Sequence, residues 1–338
     1  MKFTKFLVGR ILVLIPVLLG ITLATFVLTR MVPGDPARAI IGEGASAEAL
    51  AALRTELGLD LPLPQQYLHY LGDLLQGDLG NSIRTGRPIA SELAGRFGAT
   101  AELALAALVL TIVVGVSLGL IAALNRGKLI DELCRMIALI GVSVPIFWFG
   151  ILLILLFYLQ LGWAPAPLGR FGASVSFTPD ITGLYVVDAL LRGNLPALGD
   201  ALRHLALPAI TLAAWSTAIV MRITRASVLE VMGQDYIRTA RAKGLSARLV
   251  IGKHMLRNAL LPMITIIGLE FGNMLGGAVL TETVYNWPGM GQYAVSGINS
   301  LDFAAIQGFT LLTAFIYVLI NLVVDALYVA VDPRVEYS

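Results

Sequence analysis

The sequence predicts an all-α membrane protein, a bundle of six transmembrane helices, and three observations carry that prediction. Hydrophobic residues make up 57% of the chain and charged ones 14%, with a mean hydropathy of +0.81, which is too apolar for a soluble core to hide. Six apolar runs reach or approach the roughly 20 helical residues that a hydrocarbon core demands. The cations, finally, are unevenly shared among the segments between those runs.

The runs cover residues 9–31, 101–124, 133–161, 205–221, 259–280 and 306–331. In the first, Lys2, Lys5 and Arg10 stand ahead of Ile11 to Leu28 as in a secretory signal, but that apolar stretch outlasts the usual signal core and reads as a retained span. The fourth run carries Pro208, Thr211, Ser216 and Thr217, which suits a helix facing protein or water better than lipid. If the N-terminus is cytoplasmic, 15 of the 24 Lys and Arg, including every lysine, lie in cytoplasmic segments. The positive-inside rule therefore puts both termini inside and Arg222 to Arg257 on the cytoplasmic face.

Between the first two spans lies a polar segment that opens on the turn "PGDP", Pro33 to Pro36. Ser46 is placed to cap a helix over "AEALAALRTEL", ending before Gly58, and Tyr67, Tyr70, Leu71, Leu74 and Leu75 recur at helical spacing in a second. Together they read as a small exterior cap packed on the bundle. The segment from Gly162 to Arg203 is rich in Pro and Gly, with one short helix expected near Leu184 to Leu191. The stretch "TETVYNWPGMGQYAVSGINSLDF" has no cation, a "PGMG" turn and a helix-length "GQYAVSGI", so it is expected to dip back toward the membrane under protein cover.

The cytoplasmic stretch "RTARAKGLSARLVIGKH" holds Arg238, Arg241, Lys243, Arg248 and Lys253. Asp235 to Ala242 predicts a short helix that Gly244, free to take positive φ, stops, after which Ser246 caps a second helix. A loop that only fixed topology would need scattered cations. This one adds a glycine break and the small residues Ala240, Ala242 and Ala247, which let another protein approach closely.

Several function classes drop out. Cys134 is the single cysteine, which excludes an internal disulfide and a thiolate metal cluster. Gly127-Lys128 precedes Leu129 and Gly252-Lys253 precedes His254, so no phosphate-binding loop is present and the chain has no ATPase of its own. His69, His204 and His254 fall outside the spans or at their edges and no HExxH occurs, which argues against an intramembrane hydrolase. An ion-coupled carrier would place titratable groups along several helix centres, and only Glu270 sits near one.

The motifs "GRILVLIPVLLGITLATFVL", "MVPGDP", "QQYLHYLGDLLQGDLGNSI", "SVPIFWFGILLI", "RASVLEVMGQDYIRTARAKGL", "HMLRNALLP" and "TETVYNWPGMGQYAV" cover nearly the whole chain. In these it resembles the inner-membrane permease subunits of bacterial ABC importers in the dipeptide, oligopeptide and nickel branch, above all the first permease subunit of dipeptide transporters. The resemblance implies the type I importer fold. Residues 1–98 would be an N-terminal span plus periplasmic segment, 99–331 the five-helix transmembrane domain with a cytoplasmic coupling loop at 229–257, and 332–338 a cytoplasmic tail. It further implies import of dipeptides, with oligopeptides, glutathione or nickel as alternatives. The expected partners are a homologous second permease, two ATPase subunits that use ATP and Mg, a periplasmic binding protein and membrane lipid. The chain would catalyse nothing, bind no cofactor, metal or nucleic acid, and lie in the bacterial inner membrane.

Within that family the coupling loop maps onto Ala240, Arg241, Ala242, Lys243, Gly244, Leu245 and Ser246. The family's Glu-Ala-Ala-x-x-x-Gly pattern begins here with Arg238, Thr239 and Ala240, so the acidic residue is absent and the salt bridges of other branches are not expected. On the fifth span Gly268, Gly272 and Gly276 recur every four residues as a packing face. Glu270, Asn273, Gly277 and Thr281 fall opposite at 100° per residue and are expected to line the cargo path, with Glu270 offering a counter-charge to a peptide ammonium. Asp325 is expected to pair with Arg222 or Arg225.

Overall fold

The structure, a computed structural model, describes residues 2–31, 37–38, 44, 46–56, 58–172, 175, 177–179 and 181–331. The "PGDP" turn and the expected tail at 332–338 lie outside the described residues. The chain divides into two units, one of residues 1–97 with 289–316 and one of residues 98–288 with 317–338. Helices account for both, and among the described residues β pairing is confined to an isolated bridge between Asn81 and Pro88.

In the first unit α1, Lys2–Met31, is a 30-residue helix whose apolar stretch is Ile15–Leu28. Helix α2, Ala47–Glu56, starts as expected, with the Ala49 N–H donating to Ser46 Oγ at 3.2 Å, and the chain turns after it at Gly58, φ +64°. Helix α3, Leu63–Leu75, lies on α1 through a cluster of Phe26, Tyr67 and Tyr70, and the Tyr67 and Thr22 hydroxyls share a hydrogen bond of 2.9 Å. The remaining core joins Ile89 and Leu93 to Met290, Tyr293 and Ala305. Ile89 and Leu93 open the long helix α4, Ile89–Leu124. Met290 and Tyr293 belong to α12, Met290–Asn299, and Ala305 to α13, Phe303–Val331. Asp302 organises this core. One oxygen accepts the Ala305 N–H at the start of α13, and the other accepts the Ser82 hydroxyl.

The second unit is built around α8, Leu195–Met232. At 38 residues it is about 57 Å long at 1.5 Å per residue, well beyond a hydrocarbon core of about 30 Å. Two thirds of its apolar window is buried, against a third or less in the other spans. The polar composition of residues 205–221 thus reflects a helix surrounded by protein. Helix α4 approaches it closely at Gly115 and Gly119, where a Cβ on Gly119 would stand 2.6 Å from the Met221 carbonyl oxygen.

The third expected span, 133–161, is two helices: α5, Leu129–Ser143, and α6, Ile146–Gln160, meet at a bend of 105°. Pro145 is the cause. It drives Val144 into extended backbone (φ −89°, ψ 127°) and cannot continue the helix before it. A short α7, Tyr185–Leu191, stands where the sequence placed one. Helix α9, Asp235–Ala242, leads to α10, Ala247–Gly277, and α11, Val279–Val284, follows. Among the described residues four helices are long and apolar enough to cross a membrane, α4, α8, α10 and α13, and the count is five if the bent pair α5–α6 is one span.

Candidate functional site

The cationic stretch forms a knob. Helix α9 ends in a Schellman turn: Gly244, at φ +76°, donates to the Arg241 carbonyl at 3.0 Å and Leu245 donates to the Ala240 carbonyl at 3.4 Å. No atom lies within 4 Å of the position a Gly244 Cβ would take, so glycine is required by backbone conformation and not by space. Ile237 and Ala240 point inward onto a core of Val228 and Val231 from α8, Val250, Met255 and Ala259 from α10, and Ala123 from α4. Residues 241–249 are all exposed, so Arg241, Ala242, Lys243, Gly244, Leu245 and Ser246 face outward while Ala240 anchors the knob.

Ser246 occupies the N-cap position of α10 with extended backbone, yet its hydroxyl makes no capping bond, contrary to expectation. The first turns of α10 instead relax into a π segment, Val250–Leu256, whose Val250 and Met255 seat the knob's core.

Higher on α10 the glycines behave as expected at two positions. A Cβ on Gly268 would stand 2.0 Å from Val324 Cγ2 and one on Gly272 would stand 2.7 Å from the Tyr317 ring, so both mark close contact with α13. Gly276 is half-buried. The expected path-lining face divides: Asn273 and Gly277 are exposed, whereas Glu270 and Thr281 are buried. Glu270 faces protein because α8 covers that side of α10, and it accepts a 2.6 Å hydrogen bond from the Ser216 hydroxyl. Helical periodicity put the four residues on one side, but it could not tell which part of that side a neighbouring helix covers.

A buried ion pair also stands near the knob. Arg225 is held by Asp131 of α5, through Nε at 2.7 Å and Nη2 at 2.8 Å, and Asp131 also accepts the Gly127 N–H at 3.0 Å. Beside it a cleft of about 390 Å³ opens between α5 and α8, lined by Arg135, Met136, Leu139, Ala218, Arg222 and Arg225.

Glu102 sits about 30 Å along α4 from Ala123, in a second polar centre that sequence reasoning missed. It accepts Arg170 Nε at 3.1 Å and the Val186 N–H at 2.7 Å, and the Arg170 guanidinium lies 4.2 Å above the Tyr185 ring. Adjacent residues of α4 take two more segments: the Ala99 carbonyl accepts Trp287 Nε1 at 2.8 Å, and Thr100 Oγ1 donates to Glu282 at 2.6 Å. Asp188 ties the loop down by accepting N–H groups of Ile181, Thr182 and Gly183 and the Thr182 hydroxyl. Burial pushes its carboxyl up, but those bonds outweigh it and hold it below its ordinary value. Burial pushes the Tyr185 hydroxyl up, against the opposing pull of Arg170. The signal was present in the sequence as acids, Glu102 and Asp131, at the margins of apolar runs.

The second unit thus carries a cationic knob on α9 and, about 30 Å along α4 from the knob's core, a polar tie at Glu102. Residues 3–104 match the family model for the N-terminal part of binding-protein-dependent transport system membrane components, and residues 115–337 match that for the binding-protein-dependent transport system inner membrane component. The chain belongs to this family of multi-pass inner-membrane permeases. It is 46% identical to the dipeptide transport system permease protein DppB of Alkalihalophilus pseudofirmus, with 97% of this chain and 98% of the relative covered. It is likewise 46% identical to the probable D,D-dipeptide transport system permease protein DdpB of Escherichia coli strain K12, over 99% and 98%. The glutathione transport system permease protein GsiC of Escherichia coli O6:H1 is 40% identical over 99% of both chains. Among solved structures, a chain of the inward-facing MetNI methionine ABC transporter matches with a TM-score of 0.51 at 15% identity, covering 71% of this chain and 96% of that one. At that identity the match establishes the shared fold.

Proposed function

We propose that this chain is the first permease subunit of an ATP-driven importer that carries dipeptides into the cytoplasm. It would work with a homologous second permease, a periplasmic binding protein and two ATPase subunits that hydrolyse ATP with Mg. The observation that carries the cargo is the 46% identity, over nearly the whole chain, to permeases named for dipeptide transport, against 40% for a glutathione permease.

In this reading residues 240–246 are the docking point for an ATPase, and both termini and the knob lie in the cytoplasm. The knob's apolar core gives it a stiff connection: displacement of α9 is passed through Ile237 and Ala240 to the ends of α8 and α10. Packed cores shift between discrete arrangements rather than deforming smoothly, so such a push can switch a cavity between outward and inward access. The exposed Asn273 and Gly277 would line the path, and Glu270 would hold α10 to α8 through Ser216.

Uptake by a strain deleted for this chain tests the cargo. Labelled dipeptides should enter only when the chain is restored, and longer peptides, glutathione and nickel should enter equally well with or without it. Restored uptake of glutathione or nickel but not of dipeptides would reassign the cargo.

A further inference from the structure

We infer that the surface receiving α9 and its Gly244 turn is acidic, a groove whose carboxylates pair with Arg241, Lys243 and Arg248. The inference rests on the reading of residues 240–246 as an ATPase-docking point and adds what that point recognises.

The apolar side of α9 is spent within this chain, since Ile237 and Ala240 are buried against α8 and α10. What remains outside is charged. Arg238 has a local partner in Asp235 at 3.5 Å, and both side chains are almost fully exposed. Among the described residues no carboxylate pairs with Arg241, Lys243 or Arg248. The Schellman turn has already satisfied the Ala240 and Arg241 carbonyls, so the knob's tip offers cations and few free acceptors. The large apolar side chains exposed beside these cations are Tyr236, Leu245 and Leu249, each more than half covered.

Three unpaired cations cost little in water, but a partner that covers them must replace their hydration. A neutral or basic groove would leave them uncompensated, whereas carboxylates pair with them and also steer the encounter.

Cross-linking of the assembled transporter, purified with its ATPase subunits, tests this without altering the sequence. A zero-length carbodiimide joins an amine to a carboxylate only when the two already touch, while a long amine-to-amine reagent reports proximity whatever the charge. Lys243 should be found by mass spectrometry in an amide bond to an Asp or Glu of an ATPase subunit. Its yield should fall several-fold as salt is raised from about 0.05 to about 0.5 M, with no such bond at the exposed Lys128. If the long reagent ties Lys243 to an ATPase and the carbodiimide does not, docking stands and the acidic groove is overturned. If neither does, as when the cations meet lipid headgroups instead, the docking point itself is misplaced and the inference falls with it.

Discussion

Asp131 and Arg225 close a two-point ion pair between α5 and α8, Nε to Oδ1 at 2.7 Å and Nη2 to Oδ2 at 2.8 Å. The carboxylate is buried and the guanidinium mostly so. Removing one partner strands the other charge, a change that costs about 3 kcal/mol in comparable buried pairs. Asp131→Asn should therefore lower stability in detergent by about that amount, while the exchange Asp131→Arg with Arg225→Asp should recover part of it. Equal stability of wild type and Asp131→Asn would show that the pair contributes nothing.

Gly268 and Gly272 set the approach of α10 to α13. Gly268→Ala should cost about 1–3 kcal/mol by overpacking, because its Cβ would overlap Val324 Cγ2. Val324→Ala should relieve that cost when combined with it. A double variant no more stable than Gly268→Ala alone would contradict the packing assigned to this face.

Glu270 and Ser216 join α10 to α8 by a single hydrogen bond of 2.6 Å. Glu270→Gln keeps a polar group there and should retain uptake with unchanged preference between neutral and cationic dipeptides. Glu270→Leu leaves Ser216 without its acceptor and should lose about 1–3 kcal/mol of stability. A shift in Glu270→Gln away from cationic peptides would place the carboxylate on the cargo path after all.

Asp188 gives a pH dependence with a defined sign. Its folded carboxyl titrates below the ordinary value. The stabilisation it provides is therefore fully present above the usual carboxylate pKa of about 4 and is lost as pH falls below it. Amide exchange protection at Thr182 and Gly183 should drop through that window in wild type. In Asp188→Asn it should be low throughout and flat with pH.

Arg87→Cys and Lys243→Cys, in a Cys134→Ala background, should label with a membrane-impermeant thiol reagent from opposite faces of the membrane. Arg87 is chosen because it is exposed, whereas nearby Ser82 is buried against Asp302. Labelling of both from the cell exterior would overturn the orientation.

Much of this was legible in the sequence because it is written in local chemistry. The Ser46 cap, the Gly244 stop and the short helix at Tyr185–Leu191 each follow from a few adjacent residues. What was illegible depends on neighbours distant in the chain. Periodicity put Glu270 opposite the glycines, but only the position of α8 decides that it is buried. Arg225 pairs with Asp131, an acid about ninety residues away in the chain that only helix packing brings to it. Pro145 stands inside the apolar run 133–161, whose length alone made it read as one span, and the bend there depends on the backbone on either side of the proline. Gly115 and Gly119 carried the same small-residue signal as Gly268 and Gly272 and mark the contact of α4 with α8.

ATP-driven import is read out by uptake into proteoliposomes that hold this chain with the proposed second permease and ATPase subunits, with binding protein and labelled dipeptide outside. Accumulation should require ATP on the ATPase side and vanish when the ATPases are omitted. It should also vanish in Gly244→Val, where a β-branched residue is forced to positive φ in otherwise open space. Dipeptide accumulation by the chain without ATPases, or undiminished transport by a well-folded Gly244→Val, would contradict ATPase-driven import through this loop.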